Sequence, residues 1–453
     1  MSLMSSPRIT PAWLPQRPPE PDVRAGPGHV RHKAGVALLT RVLARPDLAE
    51  QRIGAGLRAD RRLGSKDRPW VADALYGIVR RWRLIETLLT QCGWQGERPP
   101  EVLWWGWMVL ARGLPAEHCP VPKSWLSGCA KPLEALEPWA RGASDAATLA
   151  TVGSVPDWLA EGLLEDRDLP TAMAELVAQD RRAPVVLRVA AHRTDRAAVL
   201  RELDAAGIEA TPGRWSPHAV RIAGRVHLQG LACWRAGHVA LQDEASQVVA
   251  SLVAPQRDHR VVDACAGAGG KALALAATAP PGVRILALDV REGALAEARR
   301  RARREGRRLE TQPISPTGPL PRRCLGADRV LIDAPCTGSG TLRRHAGLRW
   351  RWTAAQAQGL PDRQAEILGR FAATLGPAGR LVYATCSLWR AENQGVVDRF
   401  LAAHTDWEQI RPAPPESSHW DQALDAKGAL ELTPARHDTD GFFGAVLRRR
   451  RTV

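Results

Sequence analysis

No Cys-x-x-Cys pair and no cysteine/histidine run at metal-ligand spacing occurs among the eight cysteines of this 453-residue chain. Neither a zinc site nor a disulfide framework is supported, so a metal-free protein of a reducing, cytoplasmic compartment is expected. An apolar signal segment is also missing at the amino terminus, and the most apolar run, residues 102–111, is too short to span a bilayer. A soluble chain that meets no membrane follows as an expectation. Lysine is scarce, at six residues, although Lys+Arg total 63 against 48 Asp+Glu for a net charge of +15. The cation is therefore almost all arginine, whose planar fork favours phosphate and base stacking. A sequence pI of about 10.3 suits a polyanionic partner such as a nucleic acid. A compositional bias towards Arg, Ala, Gly, Pro and Trp explains the same numbers without one.

The length predicts two to four domains with ample core. Residues 1–28 hold seven prolines and no periodic pattern, which predicts a disordered leader. From Arg31 apolar residues recur at helical spacing (Val36, Leu39, Val42; Val71, Leu75, Ile78; Leu84, Leu88), predicting an all-helical domain over 29–150. Its Arg68, Arg80, Arg81 and Arg83 are either a solvated face or an RNA contact. The cluster Trp104, Trp105 and Trp107 has the spacing of a core, with base stacking as the lesser use. A small α+β module is expected over 151–238, with strands at Val185–Ala190, Ile208–Ala210 and Val220–Ile222 and a helix at Thr194–Ala206. Arg188, Arg193, Arg221 and Arg225 make it either an RNA clamp or a spacer.

The last part, 239–453, reads as a doubly wound α/β domain. A helix is predicted from Gln242–Gln247, with acids in its first turn. The strand Arg260–Asp263 ends in a carboxylate and runs into Ala264-Cys265-Ala266-Gly267-Ala268-Gly269-Gly270-Lys271. Glycines at such a strand-to-helix turn let a ligand approach the backbone and the helix-start N–H groups. The next strand ends at Asp289, where doubly wound sheets place an acid on ribose hydroxyls. A long Gly-x-Gly-x-x-Gly for a pyrophosphate is missing, so S-adenosylmethionine fits better than a dinucleotide. Two further apolar runs, Val330–Ile332 and Leu381–Tyr383, break into Asp333-Ala334-Pro335-Cys336 and Ala384-Thr385-Cys386-Ser387. A cysteine would thus follow each of two buried parallel strands. A lone cysteine is usually inert packing, whereas two at adjacent strand ends point to chemistry. The arginine run after Asp289 (Arg299, Arg300, Arg301, Arg303, Arg304, Arg307, Arg308) is a solvated face or a phosphate contact.

These motifs resemble the Sun/RsmB-type RNA cytosine-5 methyltransferases, most closely the ribosomal RNA type with a NusB-like helical front domain. The resemblance runs from about Arg31 onward. It is densest at Asp263–Lys271, Asp333–Arg344, Thr385-Cys386-Ser387 with Glu392-Asn393, and Asp440-Gly441-Phe442-Phe443. It implies a Rossmann-like methyltransferase that carries a methyl group from S-adenosylmethionine to carbon 5 of an RNA cytosine, 16S ribosomal RNA first. It also implies roles: Cys386 as the nucleophile that adds at carbon 6 and Cys336 as the group that releases the product. Asp333 would sit at the base edge near N3 with Lys271 beside it, and the cofactor would lie on Cys265–Lys271, Asp289 and Asp333. The implied partner is ribosomal RNA and a monomer is expected. Transfer RNA as substrate, or a non-catalytic ribosome assembly factor, are the alternatives. The chain departs from the family pattern Ala-Pro-Gly-Gly-Lys-Thr at Gly267-Ala268-Gly269-Gly270-Lys271-Ala272. No acid stands in Thr311–Gly318 to hold the adenine, and Leu187-Arg188-Val189-Ala190 lacks the usual closing asparagine.

Overall fold

The computed structural model describes residues 29–112 except 92, then 114 and 119, and 145–450 except 225 and 416–417. The expected leader over 1–28 and Arg225 lie outside the described residues. The chain divides into two units: one ends at Arg181 and takes back Leu342–Ala354, the other comprises the remainder from Arg182.

The first unit is helical. Helices α1 (Val30–Leu43), α2 (Ala49–Ala59), α3 (Asp67–Arg80), α4 (Trp82–Gln91) and α5 (Pro100–Arg112) bury the predicted stripes, including Leu39, Val42, Leu75, Ile78 and Leu89. Trp104, Trp105 and Trp107 are at most 7% exposed, so these indoles are core and not a stacking platform. Helices α6 (Ala146–Val152), α7 (Asp157–Leu164) and α8 (Leu169–Asp180) continue the unit past the boundary expected at 150, to Arg181. Asp168 caps α8 by accepting from the Thr171 N–H at 3.0 Å. The arginines read as a possible RNA face mostly point inward: Arg81 pairs with Asp180 at 3.3 Å, Arg83 with Asp157 at 2.7 Å, and Arg80 donates to the Arg343 carbonyl. Of the four, only Arg68 remains exposed. The returning segment 342–354 is anchored by Arg349, wholly buried and bonded to Asp180 at 2.9 Å, and by the Trp350 indole on the Val79 carbonyl at 2.8 Å.

The second unit contains two sheets. In the smaller, order β2-β3-β1-β4, β1 (Val185–Val189), β2 (Ala210–Pro212), β3 (Ala219–Ile222) and β4 (Val239–Leu241) are antiparallel, and α9 (Arg196–Ala205) buries Val199 and Leu203 against them. Ile208 and Glu209, expected within a strand, precede β2. Arg188, a candidate RNA clamp, is instead buried and paired with Glu305 at 2.7 Å, while its Nε donates to Gln242 at 2.7 Å. Removing one member of such a buried pair strands the other charge and costs about 3–5 kcal/mol. Arg221 likewise bridges to Asp438, so both fix this sheet to the rest of the unit.

The larger sheet has the order β10-β12-β9-β8-β5-β6-β7, with β11 beside β12. Strands β5 (Arg260–Asp263), β6 (Arg284–Asp289), β7 (Glu310–Pro313), β8 (Ala327–Asp333) and β9 (Leu375–Thr385) are parallel; β10 (Trp407–Ile410), β11 (Leu430–Leu432) and β12 (Phe442–Arg449) run antiparallel. Helices cover both faces, which is why Val330–Ile332 and Leu381–Tyr383 are continuous apolar runs at 0% exposure. Strand order reverses at β5, whose neighbours β6 and β8 lie on opposite sides. Ligands of open α/β sheets bind beyond the carboxyl ends at such a reversal. Among the described residues no helix is long and apolar enough to cross a membrane.

Candidate active site

The carboxyl ends of four adjacent parallel strands carry Asp289 (β6), Asp263 (β5), Asp333 (β8) and Thr385 (β9). After β5 the chain turns through Gly267 (φ +52°) and Gly269 (φ +77°) into α10 (Gly270–Thr278). A Cβ on Gly269 would lie 2.8 Å from that of Ala298, so this turn requires glycine in both conformation and space. The turn survives replacement of the family's proline by Ala268. Asp289 accepts the Gly267 N–H at 2.8 Å and the Arg291 N–H at 2.9 Å, which fixes its carboxylate against the turn.

The β8–β9 register pairs Asp333 with Ala384, so the loops that follow lie side by side. It brings Cys336 and Cys386 to a sulfur–sulfur distance of 3.4 Å. The Cys336 thiol is held well above its ordinary value by its hydrogen bond with Cys386, then by burial, then by the charges of Cys386, Glu392 and Asp333. Lys271, on the first turn of α10 and 7% exposed, reaches Asp333 at 2.5 Å and lies 4.6 Å from the centroid of the Phe442 ring. Cys265 is half-buried, and burial pushes its thiol upward before the surrounding Asp263, Asp333 and Asp289 charges add to it. Its location in the turn and its raised thiol fit a packing role beside the glycines. All the sequence candidates therefore gather at this one edge.

Sequence reasoning gave no role to what holds the two thiol loops together. Buried Glu392 accepts the Thr337 N–H at 2.8 Å and the Gln364 amide at 3.0 Å, and also the hydroxyls of Thr337 and Ser387. It thereby ties the residue after Cys336 to the residue after Cys386. The Tyr383 hydroxyl donates to the Glu392 carbonyl at 2.6 Å. The Gly441 N–H donates to Gly340 at 2.8 Å, and a Cβ on Gly340 would lie 2.3 Å from the Gly441 carbonyl oxygen. A Cβ on Gly441 would likewise lie 2.7 Å from the Gly340 Cα, so this close approach requires the glycine of the closing Asp-Gly-Phe-Phe motif, whose next residue, Phe442, lies over Lys271.

Asp263 is wholly buried with no donor in bonding geometry at either oxygen. Burial, then the Asp333 charge, pushes it up to about 7 from an ordinary 3.8. The folded chain consequently binds more protons than the unfolded chain between those values, and stability falls as pH rises through that window. At ~1.36 kcal/mol for each pH unit the loss amounts to roughly 4 kcal/mol. Asp263→Asn is expected to flatten the dependence of thermal unfolding on pH between 4 and 7 and to raise the midpoint above wild type at pH 8; an unchanged pH profile would refute this. An unpaired carboxylate beside a glycine turn, with Asp289 one strand over, fits a cofactor that brings a positive charge and a ribose. No cluster of potential metal ligands occurs among the described residues.

Comparison with known proteins matches two stretches of the chain, the more N-terminal of which crosses the boundary at Arg181. Residues 250–448 match the model of the 16S rRNA methyltransferase RsmB/F family, and residues 155–229 match its RsmF/B-like ferredoxin-like domain. The ribosomal RNA small subunit methyltransferase B of Klebsiella pneumoniae is 33% identical over 300 residues, 65% of this chain and just under two thirds (66%) of that protein. The probable counterpart in Bacillus subtilis is 30% identical over 307 residues, 67% of this chain and 68% of that protein. The crystal structure of NSun6 from Pyrococcus horikoshii with SFG shares the fold, with a TM-score of 0.55, 17% identity, and coverage of 66% of this chain and 99% of that one. A relative 30% identical over 68% of its own length, together with the two matched family models, places the chain in the 16S rRNA methyltransferase RsmB/F family.

Proposed function

We propose that this chain is an S-adenosylmethionine-dependent methyltransferase that modifies carbon 5 of a cytosine in small-subunit ribosomal RNA. The single observation carrying this reading is the pair of thiols at 3.4 Å, held at the strand ends beside Lys271 and Asp333. The likeness of the Klebsiella and Bacillus proteins, named for the small ribosomal subunit, selects ribosomal over transfer RNA. The cofactor would be held by the turn Cys265–Lys271 and by Asp289 and Asp333, and when bound supplies an electrophilic methyl group on a sulfonium. Binding of SFG, an analogue of that cofactor, by the archaeal protein of the same fold agrees with this assignment.

Carbon 5 of cytosine is too electron-poor to attack such a methyl unaided. The Cys386 thiolate adds to carbon 6, forming the S–C6 bond and moving the ring π pair onto carbon 5. Asp333 accepts from the amino group at the base edge near N3, and Lys271 beside it offsets the negative charge that builds on the ring. The two sulfurs lie 3.4 Å apart, and the family pattern puts addition on the Thr-Cys cysteine, here Cys386, and release on the Pro-Cys cysteine, here Cys336. After methyl transfer Cys336, its own proton released to solvent, takes the proton from methylated carbon 5. The C5–H electron pair re-forms the ring double bond as the S–C6 bond breaks and Cys386 departs as thiolate. The target base must be unstacked to reach these sulfurs, so loops of structured RNA are the natural substrates. The helical unit and the ferredoxin-like module would contact RNA around that base, in the cytoplasm.

Bisulfite sequencing of ribosomal RNA from a strain lacking the gene tests the substrate. One 5-methylcytosine should vanish from the small-subunit RNA and return on complementation; a fully retained pattern would contradict the assignment.

A further inference from the structure

The arginine run after Asp289 separates in the structure into inward-facing and unclaimed members. Arg301 donates to the Ala268 carbonyl at 3.1 Å, and Arg304 lies 3.8 Å from the centroid of the Trp234 ring, so these two join parts of their own unit. Arg300 pairs with Glu297, and Arg299 bonds Glu292 at 2.6 Å and Thr311 at 2.7 Å. Arg303, Arg307 and Arg308 form no salt bridge among the described residues, nor does Arg284 at the start of β6. With Arg299 these four line a cavity of about 950 Å³ beside the edge strand β7. Its one lining carboxylate, Glu310, is already bridged to Arg323. The Arg307 Nε is buried without a hydrogen-bond partner.

A solvated arginine face spreads its charge over a convex surface among acids. Five arginines lining one concavity, four of them without a salt bridge among the described residues, give it a positive charge that attracts a polyanion. We propose that this cavity holds backbone phosphates of the RNA substrate, at a place separate from the thiol site. Arginine forks match phosphate oxygens bidentately, and a cavity of this size takes more than one phosphate group. The inference rests on the RNA reading above and extends it to the size of the substrate. Arg284 opens β6 and Asp289 closes it, so the cavity and the cofactor turn are about 17 Å apart along that strand at ~3.3 Å per residue. RNA that engages both must run around the β7 edge, which a long structured RNA can do and a hairpin shorter than that span cannot.

The test compares a long small-subunit RNA fragment with a short stem-loop carrying the same cytosine. For Arg284→Gln/Arg303→Gln/Arg307→Gln/Arg308→Gln, KM for the long RNA should rise at least about tenfold near 0.15 M salt, with kcat unchanged. The slope of log K against log salt should fall by about 3, from four phosphate contacts at ~0.7–0.9 each. KM for the stem-loop should stay within about twofold of wild type. Should the quadruple variant unfold early, Arg303→Gln/Arg308→Gln, altering two exposed residues, should lower the slope by about 1.5. An unchanged slope and KM for the long RNA overturns the proposal. Equal loss for both RNAs also overturns it, since the cavity would then belong to the thiol site, as does an unchanged slope with lost inhibition by poly-glutamate, which would assign it to an acidic protein. If wild type methylates neither RNA, the enzymatic reading fails while the salt slope still reports on the cavity.

Discussion

Cys336→Ala is expected to accumulate a covalent complex with RNA, seen as a retarded band under denaturing conditions, whereas Cys386→Ser gives neither adduct nor product. The asymmetry follows from the thiol pair. The sulfurs are 3.4 Å apart and share a hydrogen bond, so a base bonded to one lies within reach of the other. The family pattern puts addition on the Thr-Cys cysteine, Cys386, and proton removal on the Pro-Cys cysteine, Cys336, each acting as thiolate. A serine at 386 is a far weaker nucleophile at neutral pH, and removal of a nucleophile costs on the order of 10⁴-fold or more in turnover. Loss of Cys336 leaves addition and methylation intact but deprives elimination of its base, which costs about 10²–10⁴-fold and lets the adduct build up. Adduct formation by Cys386→Ser, or normal turnover by both variants, would reverse or remove these roles.

The second large effect is expected at Glu392, a positioning residue that touches neither sulfur through a hydrogen bond. Its carboxylate accepts from Thr337 and Ser387, one on each thiol loop, and from Gln364. Burial raises its proton affinity and the donors from Ser387 and Thr337 hold it down, so the charge depends on those bonds. Glu392→Gln keeps the shape but places a donor where hydroxyl or amide donors already point. A displacement of ~1 Å at reacting atoms can cost about 10²-fold. For Glu392→Gln we expect kcat to fall about 10–100-fold with KM for RNA and cofactor within about twofold. We also expect slower closure of a Cys336–Cys386 disulfide under mild oxidant. A purely structural role would lower the unfolding midpoint without slowing disulfide closure, and an unchanged kcat would refute the positioning role. Glu392→Ala, which leaves several buried donors unpaired at about 1–3 kcal/mol each, serves as the destabilised reference.

Legibility in the sequence followed how local each cause is. Asp263, Asp289, Asp333 and Cys386 were readable because a buried strand is a short apolar run and its end is marked by the residue that breaks it. The glycine turn was readable because left-handed backbone at Gly267 and Gly269 calls for glycine wherever the chain goes next. The ends of the helical unit were less so: residues 342–354 return to it from far along the chain, and no local periodicity announces that Arg349 will meet Asp180. Arginine was the least readable residue. Arg81, Arg188 and Arg301 carry the same charge as Arg303 and Arg308, yet the first three are consumed by an acid or a carbonyl of their own unit. Glu392 stood in a recognised motif, but its link between two loops exists only once β8 and β9 are paired.

The most direct measurement replaces the target cytosine by 5-fluorocytosine in the RNA and maps the adduct formed with the wild-type chain by mass spectrometry. A fluorine at carbon 5 cannot leave as a proton, so elimination halts with the enzyme still joined to carbon 6. The account predicts one crosslinked peptide, containing Cys386, that also carries the transferred methyl group. A crosslink at Cys336, or methylation without any thiol adduct, would contradict it.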